Sequence, residues 1–168
     1  MSNSTAGDWV VDPAGSTAGF SGKAWWGLAP VRGTFGSVSG SGTLGDDGTV
    51  RGELVIDAAA LNTKNDRRDK HLRSDDFFNT EKYPSITVTV TSATLTGSSL
   101  ECSGTMAAAG VTVPVSFTAQ VASAEADSVV LSAVLTMPRT KFGMTWQPLP
   151  GFVADVSQGT VTARFVRP

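Results

Sequence analysis

Val111-Thr112-Val113-Pro114-Val115-Ser116-Phe117-Thr118-Ala119-Gln120-Val121 is apolar at every odd position and polar or proline at every even one. Alternation of period two over this length gives a strand with one buried and one wet face. The pattern recurs at Ile86, Val88 and Val90 between threonines, and at Val50, Leu54 and Ile56 against Arg51, Glu53 and Asp57. Near the C-terminus, Val161, Ala163 and Phe165 alternate with Thr160, Thr162 and Arg164. Weaker alternation predicts strands near 8–12, 16–24, 31–44, 98–107 and 128–137, with turns at Asp46-Asp47-Gly48 and Thr96-Gly97-Ser98-Ser99.

About eight short strands at regular spacing give an all-β sandwich or barrel. Glycine decides between them. Gly33, Gly36, Gly40 and Gly42 fall inside strand text, with Gly19 and Gly22 just upstream. Glycines inside strands mark bulges and sharp bends, which a sheet needs in order to curl and close. The reading is one antiparallel β-barrel over residues 1–168, with no repeat, linker or second domain.

Composition narrows the function classes. The formal net charge of −2 comes from 13 Lys+Arg against 15 Asp+Glu, so no basic face is expected for nucleic acid or anionic lipid. No apolar run approaches the ~20 residues of a membrane-spanning helix, so stable membrane insertion is not expected. The lone cysteine, Cys102, rules out an internal disulfide and reads as a small packed side chain. The N-terminus, Met1 to Trp9, lacks the basic and apolar regions of a secretory signal. A cytoplasmic protein is therefore expected, or a periplasmic or secreted one if a leader was removed. Unpaired edge strands would allow a homodimer.

One segment departs from the strand pattern. Residues 64–82 hold eleven of the 28 charged side chains, six positive and five negative. A short helix is expected within 64–76, capped by Thr63 or Asn65, with acids early and bases late as the helix dipole favours. Leu61, the stem of Arg68 and Leu72 would form its narrow apolar stripe, and Phe77-Phe78 and the Tyr83-Pro84 turn follow. This segment would cross one end of the barrel.

Two further segments are unusual for loops. Residues 24–31 (Ala-Trp-Trp-Gly-Leu-Ala-Pro-Val) and 142–153 (Phe-Gly-Met-Thr-Trp-Gln-Pro-Leu-Pro-Gly-Phe-Val) carry Gly and Pro that break regular elements, yet hold three of the four tryptophans. Loops normally face water, so apolar loops need something to lie against. They can plug the core, form the rim of an apolar cavity, or present a surface to a protein partner. Aromatic position nominates Phe20, Trp25, Trp26, Leu28, Phe35, Phe77 and Phe78 as lining residues. Ile86, Val88, Phe117, Phe142, Met144, Trp146 and Phe152 join them by alternation or by place in the second loop.

His71-Leu72-Arg73-Ser74-Asp75-Asp76-Phe77-Phe78, followed by Tyr83-Pro84, resembles the signature of the YceI-like family of polyisoprenoid-binding proteins. Four other stretches resemble that family in the same order: Trp9 to Pro13, Val31 to Phe35, Gly110 to Val115, and Arg139 to Gly143. The resemblance implies an extended, lipocalin-like antiparallel barrel holding a long polyisoprenoid or isoprenoid quinone, as a carrier or sequestering protein, with no other cofactor. Asp12, His71, Arg73 and Arg139 then become candidates for a polar head-group site or for structural pins. The chain departs from the family at Gly15 and Ala109, where histidine is usual. If those histidines help hold a polar head group, this chain lacks part of that site.

Two other readings stay open: the same barrel holding a different apolar small molecule, and an enzyme acting on a bound lipid through His71 and nearby acids. No nucleophile-elbow or metalloprotease motif is present. His71 with Asp75, Asp66, Asp69 and Asp76 contains metal-ligating residue types. With no second histidine, a metal site is not expected.

Overall fold

The structure, a computed structural model, describes residues 7–45, 47 and 49–168. The strands are β1 (Gly7–Val11), β2 (Thr17–Ala24), β3 (Ala29–Thr34), β4 (Val38–Leu44), β5 (Val50–Asp57), β6 (Ser85–Thr96), β7 (Ser99–Ala108), β8 (Val111–Ala124), β9 (Ser128–Pro138) and β10 (Val156–Val166). Among the described residues one α-helix, α1 (Asp66–Arg73), interrupts them. All pairings are antiparallel, and from β4 to β10 each strand pairs with its neighbour in sequence.

Ten strands occupy eight positions in the barrel. β1 pairs with β4, and β2 with β3, so residues 7–24 and 29–44 form one long, twice-broken hairpin. Its first arm also pairs with β10, through Val10–Val166 and Val11–Phe165 and then through β2, which closes the ring. The expected strand over 31–44 is thus two strands, and the break has a cause in hydrogen bonding. Phe35 N–H still donates to Ala18 on the first arm, while Gly36 N–H donates to Asp57 at the end of β5. Across residues 35–37 the chain hands over from one neighbour to the other.

Closure requires backbones to approach closely. A Cβ at Gly104 would lie 1.7 Å from the Thr89 carbonyl oxygen, beside the bulge at Val90–Ser92. At Gly40 (φ +140°) it would lie 2.0 Å from the Glu53 oxygen. Only glycine fits either place. Of the two expected turns, Thr96 to Ser99 joins β6 to β7 with Gly97 at φ +63°. Asp46 and Gly48 of the other turn lie outside the described residues.

The alternation seen in sequence sets the faces. In β8 the odd positions from Val111 to Val115 turn inward and Thr112, Pro114 and Ser116 outward. Ile86, Val88, Val161 and Ala163 are buried as the pattern requires. They join Val38, Leu61, Met106, Leu135 and Phe142 in the main core. A smaller cluster of Leu100, Cys102 and Ala119 fills the opposite end. Strand edges without a ladder partner remain among the described residues: the outer side of β3, bridged at Thr34–Asn62, the Val111 to Thr118 half of β8 and the facing end of β9 from Val134 to Pro138.

Candidate functional site

The barrel end that carries the β2–β3 turn, α1 and the 139–155 connection holds a cavity of about 380 Å³. That lies within the range of small-molecule sites, about 300–1,000 Å³. Each wall follows from a local feature of the sequence.

One wall is α1 and the turn after it. Asn65 is the N-cap, its side-chain oxygen accepting from Arg68 N–H at 3.0 Å. Asp69, on the buried side of the helix, accepts from Thr63 N–H (2.8 Å) and hydroxyl (2.5 Å). Arg68 also donates to Thr63, through Nε to Oγ1 and Nη2 to the carbonyl. Arg73 reaches back to the carbonyls of Ala59 (2.8 Å) and Leu61 (2.6 Å). These bonds hold the helix across the opening, and Leu72, Phe77 and Phe78 then face the cavity. Leu61 does not belong to the helical stripe. It lies ahead of the helix, fully buried in the core.

The opposite wall depends on Arg139, only 6 % exposed. Its guanidinium donates to the carbonyls of Ala154 (2.8 Å), Val153 (3.2 Å), Trp146 (3.3 Å) and Met144. Five N–H donors in a planar fork suit this clustering of loop carbonyls. Burial lowers its pKa from the usual arginine value, and the Asp155 carboxylate, 3.6 Å away, opposes that shift. Gln147 adds a two-way bond with the Val153 backbone, donating and accepting at 2.7 Å. The Gly- and Pro-rich loop is thereby shaped from within, presenting Met144, Trp146 and Phe152 to the cavity.

The rim is strained. Trp25 and Trp26 both have φ +52°, a left-handed conformation costing roughly 1–2 kcal/mol for each such residue. Packing holds them there. Phe152 sits 4.8 Å from Trp25 and 5.3 Å from Trp26, and Trp26 Nε1–H donates to the Pro150 carbonyl at 3.0 Å. The β2–β3 turn is therefore clasped to the 139–155 loop over the cavity. His71 stands inside the wall, edge-on to Trp146 (4.4 Å) and Phe77 (5.2 Å), with Nε2 2.8 Å from Asp76 Oδ2. The lysine and arginine side chains of the lining are Lys23, Arg67, Arg68 and Arg139, and among the described residues no carboxylate lines the cavity. Lys23 and Arg67 are exposed at its edge.

The fourteen candidate lining residues separate into three groups. Phe20, Trp25, Phe77, Phe78, Met144, Trp146 and Phe152 line the cavity. Phe35, Ile86 and Val88 lie deeper, around a crevice of about 20 Å³. The remaining four do not reach either space. Phe142 is buried in the core at 2 % exposure, and Phe117 packs between the two core clusters. Trp26 backs the rim from outside, and Leu28 is 86 % exposed on the tip of the turn. Alternation could not reveal depth along a strand, and position in an aromatic loop could not reveal which side chain points in.

Of the four polar candidates, only His71 and Arg139 line the cavity. Arg73 is spent on loop carbonyls. Asp12 caps the turn at Ala14 and pairs with Arg164 at 2.6 Å. Arg164 lies seven residues along β10 from Ser157, which lines the cavity. At about 3.3 Å per residue that is roughly 23 Å, so Asp12 is no part of this site. Gly15 is on the same distant turn, where a Cβ would meet the Arg164 side chain at 2.8 Å. Ala109 is instead on the β7–β8 turn at the cavity end, with φ +52°.

Sequence reasoning missed Lys23, Arg67, Leu72, Met137 and Ser157, all in the lining. Met137 and Ser157 are directly paired across β9 and β10, a register no single-strand pattern contains. The acids that neighbour His71 in the sequence are dispersed in space. His71 pairs with Asp76 rather than Asp75, Asp69 faces Thr63, and among the described residues no group of three metal-ligating side chains gathers. No described helix is long and apolar enough to cross a membrane.

Comparison with known proteins agrees with this architecture. The chain is 33 % identical over 126 residues to protein YceI of Escherichia coli, covering 70 % of this chain and 63 % of that protein. The match thus spans less than two thirds of that relative. A UPF0312 protein of Photorhabdus laumondii is 38 % identical over 96 residues, 56 % of this chain and half of that protein. The crystal structure of Burkholderia cenocepacia BcnA superposes with a TM-score of 0.81 at 19 % identity, covering 92 % of this chain and 98 % of BcnA. A polyisoprenoid-binding domain from Saccharophagus degradans gives 0.76 at 20 % identity, over 95 % and 98 % of the two chains. Residues 9–165 match the YceI-like domain, and the chain belongs to that family.

Proposed function

We propose that this chain binds an apolar or amphipathic lipid, tail inward, in the mouth of its barrel, and acts as a carrier or sequestering protein rather than a catalyst. The observation that carries the reading is the 380 Å³ cavity walled by Phe20, Leu72, Phe77, Met144, Trp146 and Phe152. A prenyl lipid or isoprenoid quinone is the ligand class favoured by kinship with the Saccharophagus domain named for polyisoprenoid binding. Each buried methylene contributes about 0.8 kcal/mol. Ten submerged carbons supply roughly 8 kcal/mol, the scale of micromolar binding before ordering costs are subtracted. No further cofactor is needed.

The polar end of such a ligand would stay at the rim, where Lys23 and Arg67 offer cationic groups and acids are absent from the lining. The chemistry at the wall suits holding better than reacting. Ser157 is the lone serine in the lining and donates to the Met137 carbonyl, while Cys102 is buried in the far cluster. Native mass spectrometry of protein purified without detergent, followed by organic extraction, tests the reading. One apolar molecule per chain is expected. Protein that emerges empty and takes up no prenyl alcohol or quinone contradicts it.

A further inference from the structure

The cavity does not continue through the barrel. Below it, the rings of Phe20, Phe35 and Phe78 meet as a cluster, with centroids 4.8 Å (Phe20–Phe35), 5.6 Å (Phe35–Phe78) and 6.3 Å (Phe20–Phe78) apart. Beyond them lies the 20 Å³ crevice, lined by Phe35, Ile86 and Val88 among others. Met137 is the one side chain that lines both spaces. The backbone makes room for this partition. A Cβ at Gly33 would lie 2.6 Å from the Phe20 ring, and one at Gly159 would lie 3.1 Å from the Met137 sulfur.

We infer that Phe20, Phe35, Phe78 and Met137 form a floor that sets the length of the tail this protein accepts. This rests on the binding reading above and narrows its ligand class. At about 30 Å³ per heavy atom, the share of one water molecule in the liquid, the chamber takes about a dozen carbons. That is two to three isoprene units. Longer prenyl chains gain nothing from their extra units, because those units remain in water or must displace buried side chains. The ligands that fit are terpenoid-sized molecules or amphiphiles with a short tail. Met137 is the adjustable part of the floor, since an unbranched thioether changes rotamer at low cost where a ring cannot.

The test is a chain-length series of linear prenyl alcohols with ten, fifteen and twenty carbons, titrated below their aggregation limits into the wild-type protein, Met137→Ala and Phe20→Leu. Half-buried Phe20 provides a second opening into the crevice that does not depend on the fully buried Met137 site. In the wild type, affinity should rise from ten carbons to fifteen and then level, with a twenty-to-fifteen ratio near one. In either variant that retains the wild-type circular dichroism spectrum, the ratio should rise about tenfold. A wild-type affinity that climbs steadily through twenty carbons overturns the floor, as does a ratio unchanged in the folded variants. Failure of every alcohol to bind any of the three proteins would instead overturn the binding reading itself.

Discussion

The two ends of this barrel are built from the same alternating strands and finish differently. At one end Leu100, Cys102 and Ala119 close into a small dry cluster beneath the short β6–β7 hairpin. At the other, the connections are long and aromatic, and a cavity of about 380 Å³ remains. Strand patterning accounts for the shared wall. What the connections carry decides whether an end is sealed or open: a tight glycine turn in one case, and in the other a capped helix and a loop shaped around a buried guanidinium. Stability and binding should therefore separate along the barrel axis.

Arg139→Met should break that separation most severely. It leaves the carbonyls of Met144, Trp146 and Ala154 without their donor, and that of Val153 with Gln147 alone, at about 1–3 kcal/mol for each group that stays buried and unsatisfied. Partial relaxation into water brings the expected loss to about 3–5 kcal/mol in urea unfolding. Ligand uptake should vanish with it, and hydrogen exchange should accelerate across 143–155. Arg139→Lys should recover little, because an ammonium cannot reproduce the fork.

Leu100→Ala sharpens the contrast from the sealed end. A large-to-small change at a buried leucine costs about 2–5 kcal/mol, and equilibrium unfolding should show it. Affinity for an apolar ligand measured on the folded protein should be unchanged. Phe77→Asp is its mirror image. Phe77 is half-buried in the cavity wall, so a carboxylate there should cost about 1 kcal/mol of stability while lowering affinity more than tenfold by titration calorimetry. Equal losses of binding in the two variants would remove the distinction between the ends.

The smallest expected effect concerns Cys102. Burial pushes its thiol pKa up, backbone hydrogen bonding opposes this, and the nearby Glu101 charge adds to it. The folded chain thus keeps a proton that the unfolded chain releases. The linked stability is full below the unfolded thiol pKa and declines as pH rises through the higher folded value. A thiol reagent at pH 8 should label the native protein far more slowly than the denatured one, and Cys102→Ala should flatten the alkaline end of the stability profile.

How much of this was legible in the sequence follows from the range over which each feature acts. The β8 pattern is local, and it placed Val111, Val113 and Val115 inward without any knowledge of partners. The curl was legible too, because Gly40 sits where a side chain cannot stand. The helix was announced by its charges and by Asn65. The break at 35–37 was hidden, since it arises from Asp57 on another strand capturing Gly36. For the same reason the site was half legible. Aromatic loops announced a mouth, but Leu28 and Trp146 look alike in a sequence until Arg139 turns one loop inward and the β2–β3 turn leaves the other tip in water. Which of the two roles offered for Asp12 applies was hidden, because its pairing with Arg164 joins the two ends of the chain.

The most direct measurement is a crystal structure of the protein saturated with a bromine-tipped short-chain alcohol, read from the anomalous signal of the halogen. Tail-first entry predicts one strong peak per chain enclosed by Leu72, Phe77, Met144 and Trp146. A peak confined to the outer surface, or a chamber left vacant at saturating ligand, would contradict the claim that the open end of this barrel exists to hold a lipid tail.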